Sequence, residues 1–345
     1  MNLCNLVTIK IEVQIKMTKS HFLRLSGTDS LPERLRNCVV AIGNFDGVHR
    51  GHQAVLERAL EIAGKHDLPA VVLTFEPHPR SFFKPDAPID RLTAAAKKAE
   101  ILRLMGFDAV VEQPFTGEFS SRSAEDFVEH ILVERLHAGC VVTGYDFHFG
   151  KGRRGTPEFL QKAGKDAGFT VTLVDAFTDE GANLVSSTRI RNLLCEGDVV
   201  QAAGLLGYRY MACGEVIHGK KLGRTLGFPT ANMKIDAQAG LKHGIYAVRF
   251  RRENGDLYDG VASFGRRPTV DSDGIPLLET FLFDFSGDLY GETACVSFFG
   301  FLRGEIKFDG LDPLIEQMRH DDAEARALLA SAKPLSELDR LLSFE

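Results

Sequence analysis

Between residues 36 and 204, short apolar runs alternate with longer amphipathic ones. The apolar runs are Val39–Ile42, Ala70–Phe75, Ala109–Val111, Cys140–Thr143 and Val171–Val174. They have the length and β-branched character of buried strands. Between them, Gln53–Gly64, Thr93–Met105, Ala124–Leu136 and Thr156–Ala167 repeat with helical period. In the first, Ala54, Val55, Leu56, Leu60 and Ile62 sit among Glu57, Arg58 and Glu61, an amphipathic stripe. Ser123 followed by Asp126 predicts a capping box at the third. This alternation predicts an α/β fold, a parallel sheet with helices on its faces. Beyond residue 206 the period shortens. Strand-like pieces dominate, with hairpin turns expected at Asn254-Gly255 and Ser286-Gly287-Asp288. A helix returns only near the end, with Asp312 as its expected N-cap and Pro313 at its first position. The second domain therefore reads as a mainly β, barrel-like unit with a C-terminal helix. The boundary falls near Gly204–Arg209, giving domains 17–204 and 205–345. Residues 1–16 stand apart: Leu6–Ile15 alternates as a strand would, nothing follows to pair it, and Met17 is a plausible alternative start. They are expected to be a poorly ordered extension or an artefact of start assignment.

At the first strand-to-helix junction stands Gly43-Asn44-Phe45-Asp46-Gly47-Val48-His49-Arg50-Gly51-His52. A helix start offers unpaired N–H groups and a partial positive charge, a ready site for phosphate. His49 and His52, three apart on the first turn, are expected to share a face, and Gly47 and Gly51 to let a phosphate approach the backbone. The H-x-G-H pattern arises by chance about 0.03 times in a chain of this composition. The plain alternative is a helix start with two solvated histidines. Zinc fits less well, because the helical metal pair is spaced i, i+4 around a Glu and no Cys lies nearby.

Other clusters in the first domain carry chemistry. In Thr74-Phe75-Glu76-Pro77-His78-Pro79-Arg80, two prolines hold the backbone extended and fix the reach of His78; the alternative is a rigid turn leaving the sheet. Ser186-Ser187-Thr188-Arg189-Ile190-Arg191 opens another helix, where hydroxyls and backbone N–H groups with Arg191 one turn in make a second candidate anion clamp; the alternative is an ordinary N-cap with solvated arginines. Gly150-Lys151-Gly152-Arg153-Arg154-Gly155 is a formal G-x-G-x-x-G with Asp175 about 20 residues on, which raises an NAD(P)-dependent oxidoreductase. That fingerprint's first glycine should follow its strand directly, whereas Gly144–Phe149 intervenes here. No Walker-type loop is present.

In the second domain, a glycine-rich basic run from His218 to Asn232 includes Gly219, Gly223 and Arg224. It ends at Thr230 and Asn232, hard oxygen donors of the kind Mg²⁺ accepts. On a period of two, Glu279 shares a face with Leu277, Phe281, Phe283 and Phe285. A carboxylate on an apolar face is costly unless it has a task, and acting as a general base is one. The alternative is a bulge that turns Glu279 to solvent.

Composition narrows the classes. The 345 residues suffice for two cores. A net charge of −6 speaks against a nucleic-acid partner, as does the lack of basic–aromatic interleaving around Lys151–Arg154 and Lys220–Arg224. The 6 cysteines show no CxxC, and several fall in apolar runs, so reduced core residues are expected. No apolar run reaches membrane-spanning length and no signal peptide is visible, which points to the cytoplasm and to no membrane partner. Oligomeric state leaves no signature.

Taken in order, GNFDGVHRGH, TFEPHP, TGYDFHFGKGRRG and SSTRIR, then GRTLGFPTAN and LLETFLFDFSGDLYG, resemble the motifs of bacterial bifunctional riboflavin kinase/FMN adenylyltransferases, or FAD synthetases. The resemblance spans residues 36 to 330 and implies a nucleotidyltransferase-like α/β domain followed by a riboflavin-kinase barrel. It implies ATP, riboflavin and FMN as small-molecule substrates, with FMN and FAD as products and Mg²⁺ accompanying ATP. By motif, His49 and His52 would contact ATP phosphates, within an ATP site of Gly43, Asn44, Phe45, Asp46, Gly51, Ser187, Thr188 and Arg191. His78, Pro79, Asp146 and Phe149 would lie near flavin. In the kinase half, Gly219, Gly223, Arg224, Thr230 and Asn232 would hold Mg-ATP, with Thr230 and Asn232 at the metal and Glu279 as base. Phe281 stands where many relatives carry His, and Gly265–Thr269 matches a flavin-side loop only loosely. A flavin-binding module without turnover is the alternative from another class; it would leave two phosphate clamps unexplained.

Overall fold

Cys38–Ile42 (β2) is buried at every position, so it needs cover on both faces and sits mid-sheet. The computed structural model describes residues 21–29, 31–218, 228, 230–235, 240–265 and 277–345. The expected N-terminal extension and Gly219, Gly223 and Arg224 lie outside them. The strands are Leu23–Ser26 (β1), β2, Ala70–Glu76 (β3), Ala109–Pro114 (β4), Ala138–Gly144 (β5) and Thr170–Val174 (β6). They form a parallel sheet in the order β1-β4-β3-β2-β5-β6. The edge strand β1 was not anticipated from the pattern, being only 4 residues long.

Val39 and Ala41 face Arg50–His66 (α1) through Val55, Leu56, Ala59 and Ala63. Cys38, Val40 and Ile42 face the opposite layer, with Phe127, Ile131, Leu132 and Leu160. The remaining helices are Pro79–Phe83 (α2), Ala95–Met105 (α3), Gly117–Ser120 (α4), Ala124–Asp126 (α5), Pro157–Ala167 (α6), Ser187–Glu196 (α7) and Val199–Leu206 (α8). Ser123 caps α5 by accepting from the Asp126 N–H, as its spacing predicts. The helix then continues as a π-helical stretch over Phe127–Arg135, a distortion its apolar period does not reveal.

The second domain is a closed six-stranded antiparallel barrel, β10-β11-β8-β7-β12-β9. Its strands are Met211–Ile217 (β7), Thr230–Ile235 (β8), Gly244–Arg251 (β9), Leu257–Gly265 (β10), Leu277–Leu282 (β11) and Thr293–Arg303 (β12). The Asn254-Gly255 turn joins paired strands β9 and β10. Ser286-Gly287-Asp288 does not close a hairpin: it lies in the crossing from β11 to β12, which pair with other strands. Turn residues mark a chain reversal without naming the strand that receives it. Leu311–Ser331 (α9) packs Ala325 and Leu329 onto the outer barrel face beside Ala247, Phe283 and Phe299, and Glu337–Ser343 (α10) follows. Gly310, not Asp312, is the α9 N-cap, and Pro313 falls inside the first turn.

The cysteine expectation is corrected at one pair. Cys213 and Cys295 are direct cross-strand partners on β7 and β12, with Cα atoms 4.0 Å apart, and they are disulfide-bonded. Close antiparallel pairs bring side chains into contact, but register between strands 82 residues apart is invisible in the sequence. Cys38 and Cys140 are free and buried, as expected, and Cys195 is free and exposed.

Candidate functional site

From β2 the chain runs outward through β3 and β4, then returns to place β5 on the other flank of β2. Ligands bind outside the carboxyl ends of strands at such a reversal. The Gly43–His52 stretch emerges there, directly after β2.

The connection is tightly bent. Phe45, Gly47 and Val48 all have left-handed φ, of 49°, 83° and 36°. For bulky and β-branched residues this costs on the order of 1–3 kcal/mol each and persists only where the surroundings over-determine it. The surroundings do so. The Asp46 carboxylate accepts from the N–H groups of Leu92 (3.0 Å) and Thr93 (3.2 Å) and pairs with Arg191. Thr93 Oγ1 accepts from the Gly47 N–H at 3.1 Å. Gly47 meets a further demand beside the expected phosphate clearance: a Cβ there would meet Leu92 at 2.7 Å. Gly43 likewise makes room for the Phe45 ring, and Gly51 for that of His49. Asp46, only 2% exposed, holds the loop together through these bonds.

His49 is the N-cap of α1 rather than part of its first turn, and its Nδ1 accepts from the His52 N–H at 3.3 Å. The two rings stack with centroids 3.6 Å apart, and Phe45 meets His52 edge-on at 5.4 Å. Burial pulls His49 down to about 4, opposed by Asp46 and aided by Arg191. His52 is also held well below the usual range, by burial and then by the charges of His49, Lys98 and His78. Both imidazoles are therefore neutral at pH 7. With Nδ1 of His49 accepting, its proton must sit on Nε2, which makes that atom a donor. His52 Nδ1 is buried and finds no partner among the described residues.

One component escaped the sequence reading: a buried cation beneath the loop. Lys98, 1% exposed, reaches from α3 to the Asn44 carbonyl (3.2 Å), Thr74 Oγ1 (3.0 Å) and Glu76 Oε1 (3.0 Å). Arg91 grips the same Glu76 through both its oxygens, at 2.6 and 2.7 Å. Burial pushes Lys98 down against the pull of Glu76. For Glu76, burial acts upward, yet hydrogen bonds and charge from Arg91 and Lys98 leave it below its ordinary value. Lys98 sat unremarked in a helical stripe; only an apolar-face lysine at its position could have flagged it.

The second clamp adjoins the first. Ser186 caps α7, Ser187 Oγ donates to the Asp46 carbonyl at 2.9 Å, and Arg191 is committed to Asp46 and to the Asp90 carbonyl. These two side chains brace the loop, while Thr188 is exposed on the first turn of α7. His78 caps α2, with Pro79 at the first helical position; burial, opposed by Asp46 and aided by Arg91, draws His78 to about 4. Its Nδ1 accepts from the Arg80 N–H at 3.1 Å, so it too presents Nε2–H. Asp146 is exposed beyond β5. Phe149, expected near flavin, is 7% exposed and packs on Phe127, Phe147 and Phe159, so its ring belongs to the core. The Gly150–Gly155 loop folds back on itself through the Phe149–Gly155 bridge.

On the barrel, register joins residues far apart in sequence. Glu279 on β11 lies directly opposite Asn232 on β8, and Phe281 opposite Thr230. Direct antiparallel partners share a face. That face is not the apolar interior the alternation suggested: Leu278, Thr280 and Leu282 point inward, while Leu277, Glu279 and Phe281 are half-buried. Asn232 is 4% exposed and its Nδ2 donates to the Thr230 carbonyl at 3.3 Å. A cleft of about 560 Å³ opens elsewhere, lined by Arg249, Tyr258, Asp259, Phe283, Asp284 and Arg326 among others; Glu279, Thr230 and Asn232 do not line it.

Residues 31–189 match the family model for FAD synthetase, and residues 206–329 match that for riboflavin kinase. A protein of Pseudomonas fluorescens named bifunctional riboflavin kinase/FMN adenylyltransferase is 43% identical, with 88% of this chain and 97% of that protein covered. The chain belongs to that family. The member from Listeria monocytogenes is 42% identical (85% and 93% covered), and that of Escherichia coli K12 40% (86% and 94%). A solved structure described as a macrolide-efflux protein from Streptococcus pneumoniae superposes with a TM-score of 0.78 at 31% identity, covering 88% of this chain and 98% of its own. Among the described residues no helix is long and apolar enough to cross a membrane. The family's two named activities match the two-domain order read from the sequence, and the oxidoreductase alternative has no counterpart in it.

Proposed function

We propose that the chain makes FMN and then FAD with two separate sites, the Gly43–His52 loop for adenylyl transfer and the Thr230–Asn232–Glu279 face for phosphorylation. The chain is a riboflavin kinase and FMN adenylyltransferase by family. The observation that carries the site assignment is the contrast in charge. The α/β site offers neutral imidazole donors, helix N-termini and a buried Lys98, with its carboxylates already paired. The barrel face sets a carboxylate opposite an amide and next to a threonine.

In adenylyl transfer, a phosphate oxygen of FMN attacks the α-phosphorus of ATP and pyrophosphate leaves. The nucleophile is already an anion, so no base is required. What helps is donors aimed where charge accumulates, such as Nε2–H of His49 and the first N–H groups of α1 and α7. In phosphorylation, a ribityl hydroxyl attacks the γ-phosphorus, and the alcohol must lose its proton. Glu279 is the base assigned to it. The donors grouped there, a Thr hydroxyl, an Asn amide and a carboxylate, are hard oxygens that suit Mg²⁺. Thr230 and Asn232 would hold the ion, which would neutralise phosphate charge when bound.

The test is riboflavin with Mg-ATP and chromatographic separation of products. FMN is expected first and FAD second. Flavin binding without ATP consumption would defeat the reading in favour of a storage module.

A further inference from the structure

The loop that carries His49 is held in part from outside its own domain. Three consecutive carbonyls, of Asp46, Gly47 and Val48, each accept a hydrogen bond from a side chain. The donors are Ser187 Oγ at 2.9 Å, the Tyr208 hydroxyl at 2.7 Å and Gln53 Nε2 at 2.8 Å. The Gln53 amide also donates to the Leu206 carbonyl at 2.7 Å. Tyr208 lies past the FAD synthetase match and inside the riboflavin kinase match. It is 2% exposed. Its neighbours are fastened to the C-terminal helix α10 that follows the barrel: Arg209 donates its backbone N–H to Asp339 Oδ1 at 2.8 Å, its guanidinium pairs with the same carboxylate, and Ser336 Oγ donates to the Gly207 carbonyl at 2.7 Å. Asp339 is fully buried.

We infer that Tyr208 is a positioning residue for adenylyl transfer: its hydroxyl, anchored by the kinase half, fixes the left-handed turn that aims the His49 ring. The inference rests on the assignment of His49 to that reaction. The physical reason is the strain in the turn. Phe45 and Val48 hold disfavoured φ values, and each clamp removed lets the backbone relax. Gly47 is buried and the bond its carbonyl accepts from Tyr208 is buried too, so losing that donor leaves a buried acceptor unpaired. A sub-ångström shift at His49 then weakens a donor that must meet charge as it develops, which lowers turnover more than ground-state binding.

The experiment uses the full-length chain, in which the kinase reports on folding. Tyr208→Phe removes one oxygen and opens no cavity for a ring. For FAD formation from FMN, kcat is expected to fall about tenfold, with KM for FMN and ATP within about twofold of the parent. Riboflavin phosphorylation stays unchanged. An unaltered kcat overturns the inference, and so does a parallel fall in both activities with a lowered Tm, the signature of a merely structural role. Gln53→Met, which cuts the tie between Val48 and Leu206, is expected to lower the same kcat about threefold. Should Tyr208→Phe fail to fold, an unchanged kcat in Gln53→Met overturns the inference instead. His49→Ala separates the two levels. If it retains FAD formation, the assignment of the site falls and the role of Tyr208 with it; if it loses FAD formation while Tyr208→Phe does not slow, only the inference falls.

Discussion

The two proposed sites are built in opposite ways. The α/β site is local: the junction of β2 with α1 supplies His49 as the helix cap and His52 in the first turn, and a second helix start braces it. The barrel site is assembled by register, from Thr230 and Asn232 on β8 and Glu279 on β11. The first relies on backbone dipoles and strain, the second on a side-chain pair across a sheet. That difference follows the chemistry. An anionic nucleophile needs its surroundings made positive and rigid, whereas an alcohol needs a proton acceptor at one point.

The sharpest way to break this contrast is Glu279→Gln. It is expected to lower FMN formation from riboflavin by about 10³-fold, within the range for losing a general base, while FAD formation from supplied FMN survives. Separate assays of each half-reaction decide it, and loss of both would show that the halves are not independent. His49→Ala is the converse, expected to cut FAD formation by about 10²-fold and to spare the kinase.

Acid distinguishes the halves through stability. His49 titrates near 4 in the folded chain against an ordinary 6.5, so between those values the unfolded chain binds a proton that the native one refuses. Its contribution is therefore full above pH 6.5 and lost as pH falls toward 4, by about 3 kcal/mol. Urea midpoints from pH 7.5 to 4.5 should show that slope added to those of His52 and His78, and His49→Gln should make it shallower; equal slopes would refute the burial argument. Lys98→Met is the mildest of these changes, because Arg91 still holds Glu76. It should cost about 2 kcal/mol of stability and slow only FAD formation, read by denaturation and the two assays.

Much of the first site was legible because it is contiguous. The strand-to-helix junction, the His pair and the second helix start were all visible in period and spacing, and the structure brings them together. What the sequence left out is what distant residues decide. That Gly47 must also clear Leu92, from a later segment, shows only in the packed chain. That Phe149 packs on Phe127 and Phe159 shows likewise only in the packed chain. Glu279 was placed on the correct side of its strand, but which side is the interior depends on how the barrel closes.

By itself the sequence determined the order of elements, the two-domain plan and the local donors, because period, caps and turns act within a few residues. Only the tertiary structure decided strand register, the Cys213–Cys295 bond, the Lys98–Glu76–Arg91 cluster and the hold of Tyr208 on the Gly47 carbonyl. Each of these joins groups whose proximity is a property of the packed chain, where burial turns a distant neighbour into an obligatory partner.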